Sequence, residues 1–443
     1  MQKRLLVVGA ILVLLLAVGA FAATMLAREE PAPPVIRGSS TVEFDTSSEP
    51  TTTAPSTTTE IDPEAPRVDE PWPTYGYDLA RTHAAPQTYR HRPPYRQIWR
   101  FLTGNVIEFP PTVAYGNVYV SGILGNVWAL EASTGKRVWH RRYKNHCLAA
   151  SPTVSGGVLY QPLLPKSCKD RSGNGMLVAL DAYSGEEIWR FEGPPSESTA
   201  LVVGETVYFG SWDHRLYALS ARTGKARWTF EADEELNGAP AYADDTVYVG
   251  SDGGRLFAVA ARSGRLRWQA EALRREYFYA TPALAYGRVF IANTDGTVYA
   301  FGAETGNLLW AQRAGTYVYT SPAVWNKTVY VGSYDGNVYA FDAATGDVRW
   351  RYDSPGAIHG APTVMAGLVY FSNCGTCGQN GTRYAERGPQ QTFALDARSG
   401  KLVWKFPAGK YSPIVADEER VYLVGAGSVY ALERCSRGEP RCG

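Results

Sequence analysis

Apolar and polar residues alternate along short stretches of the chain, and each stretch ends at a turn signal. The stretch "TVYVGS" (328–333) is followed by Tyr-Asp-Gly and then by a second alternating stretch, "NVYAFD" (337–342). A period of two residues is typical of β-strands, and Asp-Gly favours the positive φ angles of a tight hairpin. Thr345-Gly346 then precedes a third stretch, "DVRWRY" (347–352). The pattern predicts antiparallel strands joined by short hairpins.

The same unit recurs along the chain. A Thr-Gly or Ser-Gly pair is followed, after three intervening residues, by a tryptophan, and most successive tryptophans of this kind lie 39–42 residues apart. A four-stranded unit of about 40 residues cannot bury its own faces, so such units pack radially as the blades of a β-propeller. We expect the repeated tryptophan to fill the gap between neighbouring blades. These tryptophans are Trp139, Trp189, Trp228, Trp268, Trp310, Trp350 and Trp404.

The two ends of the repeat region complement each other. Trp99 lies 40 residues before Trp139 but lacks the preceding part of a unit. At the other end, residues 412–433 contain the start of a unit and no tryptophan. The sequence therefore predicts an all-β protein with eight four-stranded blades over residues 72–433, in which the strand around Trp99 completes the last blade.

The form "AFDAATGDVRW" resembles the tryptophan-docking repeat of the pyrroloquinoline-quinone (PQQ) propeller family. The lead-in "WPTYGYDLARTHAAP" (72–86) is similar to the segment that opens those domains. The resemblance implies the eight-bladed fold. It leaves the function open, because the family includes quinone-dependent dehydrogenases and also non-catalytic members, such as the propeller lipoprotein of the outer-membrane β-barrel assembly machinery.

The N-terminal region has a different composition. Residues 5–27 are an uncharged run preceded by Lys3 and Arg4, so they predict a transmembrane signal-anchor that leaves residues 1–4 in the cytoplasm and exports the rest. A cleaved signal peptide is the alternative, since residues 20–22 read Ala-Phe-Ala. Residues 28–71 are rich in Thr, Ser, Pro and Glu and predict a disordered stalk.

The charge balance gives no sign of a nucleic-acid partner. The chain has 44 Lys and Arg residues against 43 Asp and Glu residues, and the formal net charge is +1. A nucleic-acid-binding domain usually shows a concentrated basic face, and no basic block occurs here. We therefore expect no nucleic-acid partner. The expected contact with the membrane is through the one helix predicted for residues 5–27.

Six cysteines lie almost entirely outside the repeats. Two repeats are lengthened between their second and third strands, by "QPLLPKSCKDRSGNG" and by "SNCGTCGQNGTRYAERGPQQ". An even cysteine count in an exported protein indicates disulfides, and we favour three local pairs, with a redox or metal role of Cys374 and Cys377 as the alternative. Residues 434–443 would form a disulfide-bonded tail. The predicted pairs are Cys147–Cys168, Cys374–Cys377 and Cys435–Cys442.

The connections between blades lead into the innermost strands, so their last residues should surround the mouth of the central channel. When the units are aligned on their Ser-Pro-like starts, one position supplies a ring of mixed chemistry. We interpret this ring either as solvated loop ends or as a binding site for a small polar ligand or a peptide. Its members are Glu108, Ala149, Glu197, Asn237, Tyr279, Tyr319, His359 and Lys410.

These features favour a membrane-anchored extracytoplasmic scaffold without catalysis, which binds an envelope protein or small polar ligand on the face that carries the insertions. The resemblance also implies an alternative, a PQQ-dependent dehydrogenase of alcohols or sugars that holds calcium. Glu197, Asn237 and Lys410 could supply part of that enzyme's site. The chain has no adjacent Cys-Cys pair, and its insertions are short. We therefore expect no cofactor, no metal and no catalytic residue.

Overall fold

The computed structural model describes residues 34–39, 42–46, 69–86, 89, 91–374, 390–412, 414–425 and 427–435. The predicted transmembrane segment 5–27 lies outside these residues, as does most of the predicted stalk. Within the described residues, no helix is long and apolar enough to cross a membrane. Residues from Val35 onward form one compact unit.

The described strands form eight antiparallel sheets, and each sheet supplies one four-stranded blade. Two strands precede the first blade, β1 (Ile36–Arg37) and β2 (Tyr95–Leu102). Blades 1 and 2, with the short β7 between them, consist of β3 (Thr112–Ala114), β4 (Asn117–Gly122), β5 (Asn126–Glu131), β6 (Arg137–Arg142), β7 (His146–Cys147), β8 (Thr153–Ser155), β9 (Val158–Pro165), β10 (Gly175–Asp181) and β11 (Glu187–Gly193).

The middle four blades follow the same plan. Blades 3 and 4 consist of β12 (Leu201–Val203), β13 (Thr206–Gly210), β14 (Arg215–Ser220), β15 (Ala226–Glu231), β16 (Ala241–Ala243), β17 (Thr246–Gly250), β18 (Arg255–Ala260) and β19 (Leu266–Glu271). Blades 5 and 6 consist of β20 (Ala283–Ala285), β21 (Arg288–Ala292), β22 (Thr297–Gly302), β23 (Leu308–Arg313), β24 (Ala323–Trp325), β25 (Thr328–Gly332), β26 (Asn337–Asp342) and β27 (Val348–Asp353).

The last two blades close the ring. Their strands are β28 (Ala357–Ile358), β29 (Thr363–Met365), β30 (Leu368–Cys374), β31 (Thr392–Asp396), β32 (Leu402–Phe406), β33 (Val415–Ala416), β34 (Arg420–Gly425) and β35 (Ser428–Arg434). The N-terminal strand β2 pairs antiparallel with β35 as the outermost strand of blade 8, and β3 contacts β33. The prediction of eight four-stranded blades, closed by the strand around Trp99, is confirmed.

The recurring tryptophan joins each blade to the next. The Nε1 of Trp310 donates a 3.0 Å hydrogen bond to the carbonyl of Ala343 in blade 6. Its ring also covers Gly346, where an added Cβ would lie 2.7 Å from the indole. Only glycine leaves room for the ring, and it also adopts the positive φ of the turn. The same donation to an alanine of the following blade is made by Trp99, Trp139, Trp189, Trp228, Trp268 and Trp350.

A tyrosine reinforces most of these junctions. The hydroxyl of Tyr208 donates to the carbonyl of Ala261, which also accepts the Nε1 of Trp228. Trp404 has a different neighbour, since its ring meets Tyr95 edge-on at 5.2 Å. Tyr95 belongs to β2, so the eighth tryptophan packs against the strand that closes the ring.

The lead-in 72–86 closes one end of the central channel. It runs beneath the innermost strands, where backbone amides of successive blades donate to its carbonyls. The guanidinium of Arg81 is fully buried there and donates to the carbonyls of Ala200 and Pro240 and to the hydroxyl of Thr74. Backbone donations to the lead-in come from Val154, Tyr242, Leu284, Val324 and Val364.

Part of the predicted disordered stalk is ordered against the propeller. β1 pairs antiparallel with β23 at the outer edge of blade 5, and Phe44 stacks on Tyr286 with ring centroids 4.8 Å apart. Ile36 and Arg37 stay exposed and are held by the backbone pairing and by an ion pair of Arg37 with Asp347. Phe44 gains free energy by leaving water, as an apolar side chain does on packing against a core. The remaining described part of the stalk supplies Val42, which packs on the same core.

Because the indole lies on a bare glycine, Gly346→Ala should destabilise the propeller more than Gly116→Ala. Both glycines have positive φ, +77° and +70°, but a Cβ at Gly116 would meet no atom within 4 Å. The control should lose about 1–2 kcal/mol in unfolding free energy from backbone strain alone. The clash with Trp310 should cost Gly346→Ala about 1–3 kcal/mol more. Equal losses in urea unfolding of the two variants would contradict this account of the junction.

Candidate functional site

The channel holds a cavity of about 80 Å³ between the blade connections and the lead-in. Six of the seven predicted ring residues with polar or aromatic side chains line it: Glu108, Glu197, Asn237, Tyr279, Tyr319 and His359. Lys410 is not among the lining residues, and its Nζ lies 4.4 Å from the ring centroid of Tyr411. Ala149 is buried in an apolar cluster with Cys147 and Trp212.

The floor of the cavity belongs to the lead-in. Tyr75 lines the cavity, and its hydroxyl donates a 3.0 Å hydrogen bond to the Oγ of Ser321. Burial raises the pKa of Tyr75 to about 12, so the phenol stays neutral. Because Tyr75 and the lead-in lie across this end of the channel, the cavity is closed on the lead-in side. Access is then from the face that carries the blade connections.

One side of the cavity is acidic. The Nε1 of Trp212 donates a 2.6 Å hydrogen bond to the Oδ1 of Asn237. The Nδ2 of Asn237 in turn donates a 2.8 Å hydrogen bond to the Oδ2 of Asp252. Tyr279 and Trp212 lie beside Glu197 and favour its ionised form, but less strongly than burial opposes it. Burial raises the pKa of Glu197 to about 7. Burial, followed by the neighbouring charge of Glu197, also raises the pKa of Asp252 to about 7.

The other side of the cavity is aromatic. Tyr279 and Tyr319 stack with centroids 4.0 Å apart, and His359 stacks on Tyr319 at 5.0 Å. A 2.5 Å hydrogen bond joins the hydroxyl of Tyr334 to the Nδ1 of His359. Burial and then the charge of Lys410 lower the pKa of His359 to about 4, so its imidazole is neutral at pH 7.

The first insertion reaches the rim of the cavity. Cys147 and Cys168 form the predicted disulfide, with Cα atoms 5.4 Å apart, and tie the insertion to the preceding blade connection. Three residues farther along the chain, the guanidinium of Arg171 lies 4.9 Å from the ring of Trp212 and pairs with Glu235. The insertion thereby places a cation over the acidic side of the mouth.

The other predicted disulfides are only partly described. Cys374 and Cys435 are disulfide-bonded, and the described residues contain no free cysteine. Cys377 and Cys442 lie outside the described residues, as does most of the second insertion. The pairings Cys374–Cys377 and Cys435–Cys442 stay predictions.

The alignment of the repeat units on their Ser-Pro-like starts missed one class of residue near the cavity. Trp212, Asp252 and Tyr334 each follow the serine that comes directly after the second strand of a blade, as in "GSWD", "GSDG" and "GSYD". The side chain at this position differs from blade to blade, although the motif around it is regular. That difference was the signal in the sequence that could have identified these residues. The hairpin brings it to the channel mouth because it opens on the same face as the blade connections.

The structure and the matches to known proteins define the class of this chain, a PQQ-like repeat propeller. A family model described as outer membrane protein assembly factor BamB matches residues 93–231, 173–278, 213–318 and 294–376. These matches together span more than half of the chain, so the chain belongs to this family. The predicted resemblance to PQQ-like propellers with a BamB-like branch is confirmed.

Individual relatives represent two kinds of protein. The chain is 30% identical to BamB of Salmonella typhimurium over 132 residues, which is 28% of this chain and 31% of the relative. It is 32% identical to quinohemoprotein alcohol dehydrogenase ADH IIB of Pseudomonas putida over 149 residues, 29% of this chain and 20% of that enzyme. The matched segments thus span less than a third of these two relatives.

Solved structures share the fold. BamB from Moraxella catarrhalis matches with a TM-score of 0.62 and 18% identity over 76% of this chain and 99% of that one. Quinohemoprotein alcohol dehydrogenase from Comamonas testosteroni matches with a TM-score of 0.64 and 14% identity, covering 86% and 82% of the two chains. At these identities the similarity shows the fold alone.

The residues around the cavity do not fit a calcium-held quinone. Both ends of the Asn237 amide are engaged, by Trp212 and Asp252. Calcium takes six or more oxygen ligands, and the described part of the chain has no cluster of three or more His, Cys, Asp or Glu residues that could hold a metal ion. The cavity is also small beside the roughly 300–1,000 Å³ of ordinary cofactor sites.

The raised carboxyl pKa values predict a stability that falls with pH. Unfolded carboxyl groups release their protons near their ordinary pKa values of 4.5 and 3.8, whereas Glu197 and Asp252 hold theirs to about pH 7 in the folded protein. The folded state therefore binds more protons between these limits, and their contribution to stability declines as the pH rises through that window.

Glu197→Gln should reduce this decline, since it removes one titrating group and the second cause that raises the pKa of Asp252, whereas the burial of Asp252 remains. His359, with its lowered pKa, acts in the opposite sense, so the measured quantity is the difference between variant and wild type. Urea unfolding across the pH window would measure it, with the exposed Glu205→Gln as control. A Glu197→Gln profile parallel to that of the wild type would show that Glu197 is ionised throughout.

Proposed function

We propose that this chain is a non-catalytic binding scaffold of the cell envelope, which captures another envelope protein on the face that carries the cavity mouth and the insertions. Residues 5–27 anchor it in the membrane, with residues 1–4 in the cytoplasm, and residues 28–71 connect the anchor to the extracytoplasmic propeller. If residues 5–27 are cleaved, the same propeller is secreted.

One observation carries the proposal. The connection-bearing face exposes several large apolar side chains, including Leu124 at 60% and Tyr277 at 50% exposure. They lie in blade connections, at a strand end and in a hairpin on the face of the ring that also carries the first insertion. Exposed apolar groups within a polar surface are typical of protein-interaction sites. The further members of this set are Leu102, Val106, Leu273 and Tyr317.

The family supports an assembly role. Its model carries the description outer membrane protein assembly factor, which names an assembly protein and not an enzyme. The second candidate, a PQQ-dependent dehydrogenase of alcohols or sugars, is favoured by the identity to the quinohemoprotein alcohol dehydrogenases. The poor fit of the cavity to a calcium-held quinone makes it the weaker candidate.

Substitution of the exposed apolar residues should abolish partner capture. Leu124→Asp with Tyr277→Asp places charges at the mouth-side surface, and a desolvated charge in an interface strongly disfavours docking. When the double variant is crosslinked in intact membranes and purified, the specific crosslinked partner of the wild type should be absent. Tyr183→Asp, equally exposed at 56% but in a hairpin on the opposite face, should retain it. Loss with Tyr183→Asp and retention with the double variant would move the interface to the other face.

The full chain, purified in detergent and incubated with PQQ and calcium, should retain no quinone absorbance after desalting. It should also show no alcohol- or sugar-dependent dye reduction, because the cavity has neither the volume of a cofactor site nor the six or more oxygen ligands of a calcium ion. Calcium alone should leave the thermal melt unchanged, since a ligand stabilises only what it binds. A stoichiometric quinone that survives desalting would make the dehydrogenase the better account.

A further inference from the structure

The cavity has three features that bear on what it could bind: its volume, its acidic side chains and its aromatic wall. It is closed by Tyr75 on one side and open on the connection-bearing face, and its volume is about 80 Å³. A water molecule needs roughly 10–15 Å³ of such space, so the cavity holds a small head group with a few waters. It is therefore suited to the end of a side chain or a small ion.

The ionisable side chains of the cavity wall are mainly acidic. Glu108 and Glu197 line the wall, whereas the lining contains no lysine or arginine, and the lowered pKa of His359 leaves its imidazole neutral. Asp252 stands behind Asn237, and its Oδ1 is buried without a hydrogen-bond partner in the described residues. The nearby cations, Arg171 and Lys410, lie at the rim and over Tyr411. The cavity is therefore short of positive charge.

Another part of the wall is aromatic, which selects among cations. Tyr279, Tyr319 and His359 form a continuous stack, and Tyr411 continues the wall beyond His359. An inorganic divalent ion gains most from oxygen ligands on all sides. A guanidinium or ammonium group can instead pair with a carboxylate on one side and lie against an aromatic ring on the other.

The protein uses the same arrangement at the rim. Arg171 lies on the ring of Trp212 and pairs with Glu235, and Trp212 is itself part of the acidic side of the cavity. An arginine held between an indole and a carboxylate within the same mouth shows that this surface accommodates such a cation.

We propose that the cavity is a recognition site for an organic cation, a guanidinium or primary ammonium group held between Glu197 and Glu108 and the aromatic wall of Tyr319. The cation belongs either to a basic side chain of the captured partner or to a free small molecule. The first source rests on the proposed function, and the second does not.

Titration calorimetry of the full chain in detergent with n-butylguanidinium and n-butylammonium tests the site. Both probes should bind, and the neutral n-butanol should not. Binding at pH 7 should release protons, so the heat should depend on the ionisation enthalpy of the buffer, because a bound cation favours the ionised carboxylates. Equal binding of butanol, no binding of either cation, or a saturating calcium site that excludes them would overturn the proposal.

Variants locate the site. Glu197→Gln should weaken binding of the cations by tenfold or more, and Tyr319→Leu should weaken it several-fold by removing the aromatic face, in line with about 0.5–2 kcal/mol for such contacts. Glu108→Gln on the neighbouring wall serves as a second carboxylate variant if Glu197→Gln folds poorly. Glu205→Gln and Tyr183→Leu are the exposed controls and should bind normally. Unchanged binding in both carboxylate variants would place the cation elsewhere and overturn the proposal.

The crosslinking assay separates the two sources. Loss of partner capture in Glu197→Gln, together with loss of probe binding, supports a basic side chain of the partner as the bound cation. Retained capture with lost probe binding supports a free small molecule. If the double variant Leu124→Asp, Tyr277→Asp captures its partner while the probes bind normally, the proposed docking face fails and the cation site stands.

Discussion

The contact on which the propeller depends is the indole of one blade lying on the bare glycine of the next. The strand-to-strand hydrogen bonds run within each blade, so neighbouring blades are joined mainly by side chains. Trp310 illustrates the contact, since it covers Gly346 and donates to Ala343 in the following blade. The glycine serves twice, because its positive φ makes the turn and its missing Cβ admits the ring. Every other feature of the molecule is built on a ring held in this way.

Ring closure creates the channel, and the lead-in converts the channel into a cavity. Arg81 is central to this step, because its buried guanidinium donates to carbonyls of two different blades. Burial lowers the pKa of Arg81 to about 10, which still leaves it charged at pH 7. A charge buried in this way is stable only with its acceptors in place. The lead-in thus ties the inner ends of the blades together while Tyr75 forms the cavity floor.

The wall of the cavity is divided between acidic and aromatic side chains. Blades 3 and 4 contribute Glu197, Asn237 and Asp252, whereas the aromatic wall of Tyr279, Tyr319 and His359 enters from blades 5 to 7. The exposed apolar residues surround the same opening. A partner that docks on this face would therefore cover the cavity mouth, so surface recognition and cavity recognition would act on the same protein.

The sequence by itself determined the number of blades, the position of each hairpin and the closing role of the strand around Trp99. These properties are local, since each repeat carries its own alternation, turn residues and tryptophan. It also placed Glu197 and Tyr319 at equivalent positions that face the channel. Only the tertiary structure decided that Trp212, Asp252 and Arg171 meet at the mouth, that Lys410 turns toward Tyr411, and that Tyr75 closes the floor. Apart from the contact between the adjacent residues Lys410 and Tyr411, such meetings arise because the ring brings together side chains from different repeats and from the lead-in. No pattern within one repeat encodes the distance to a side chain of another.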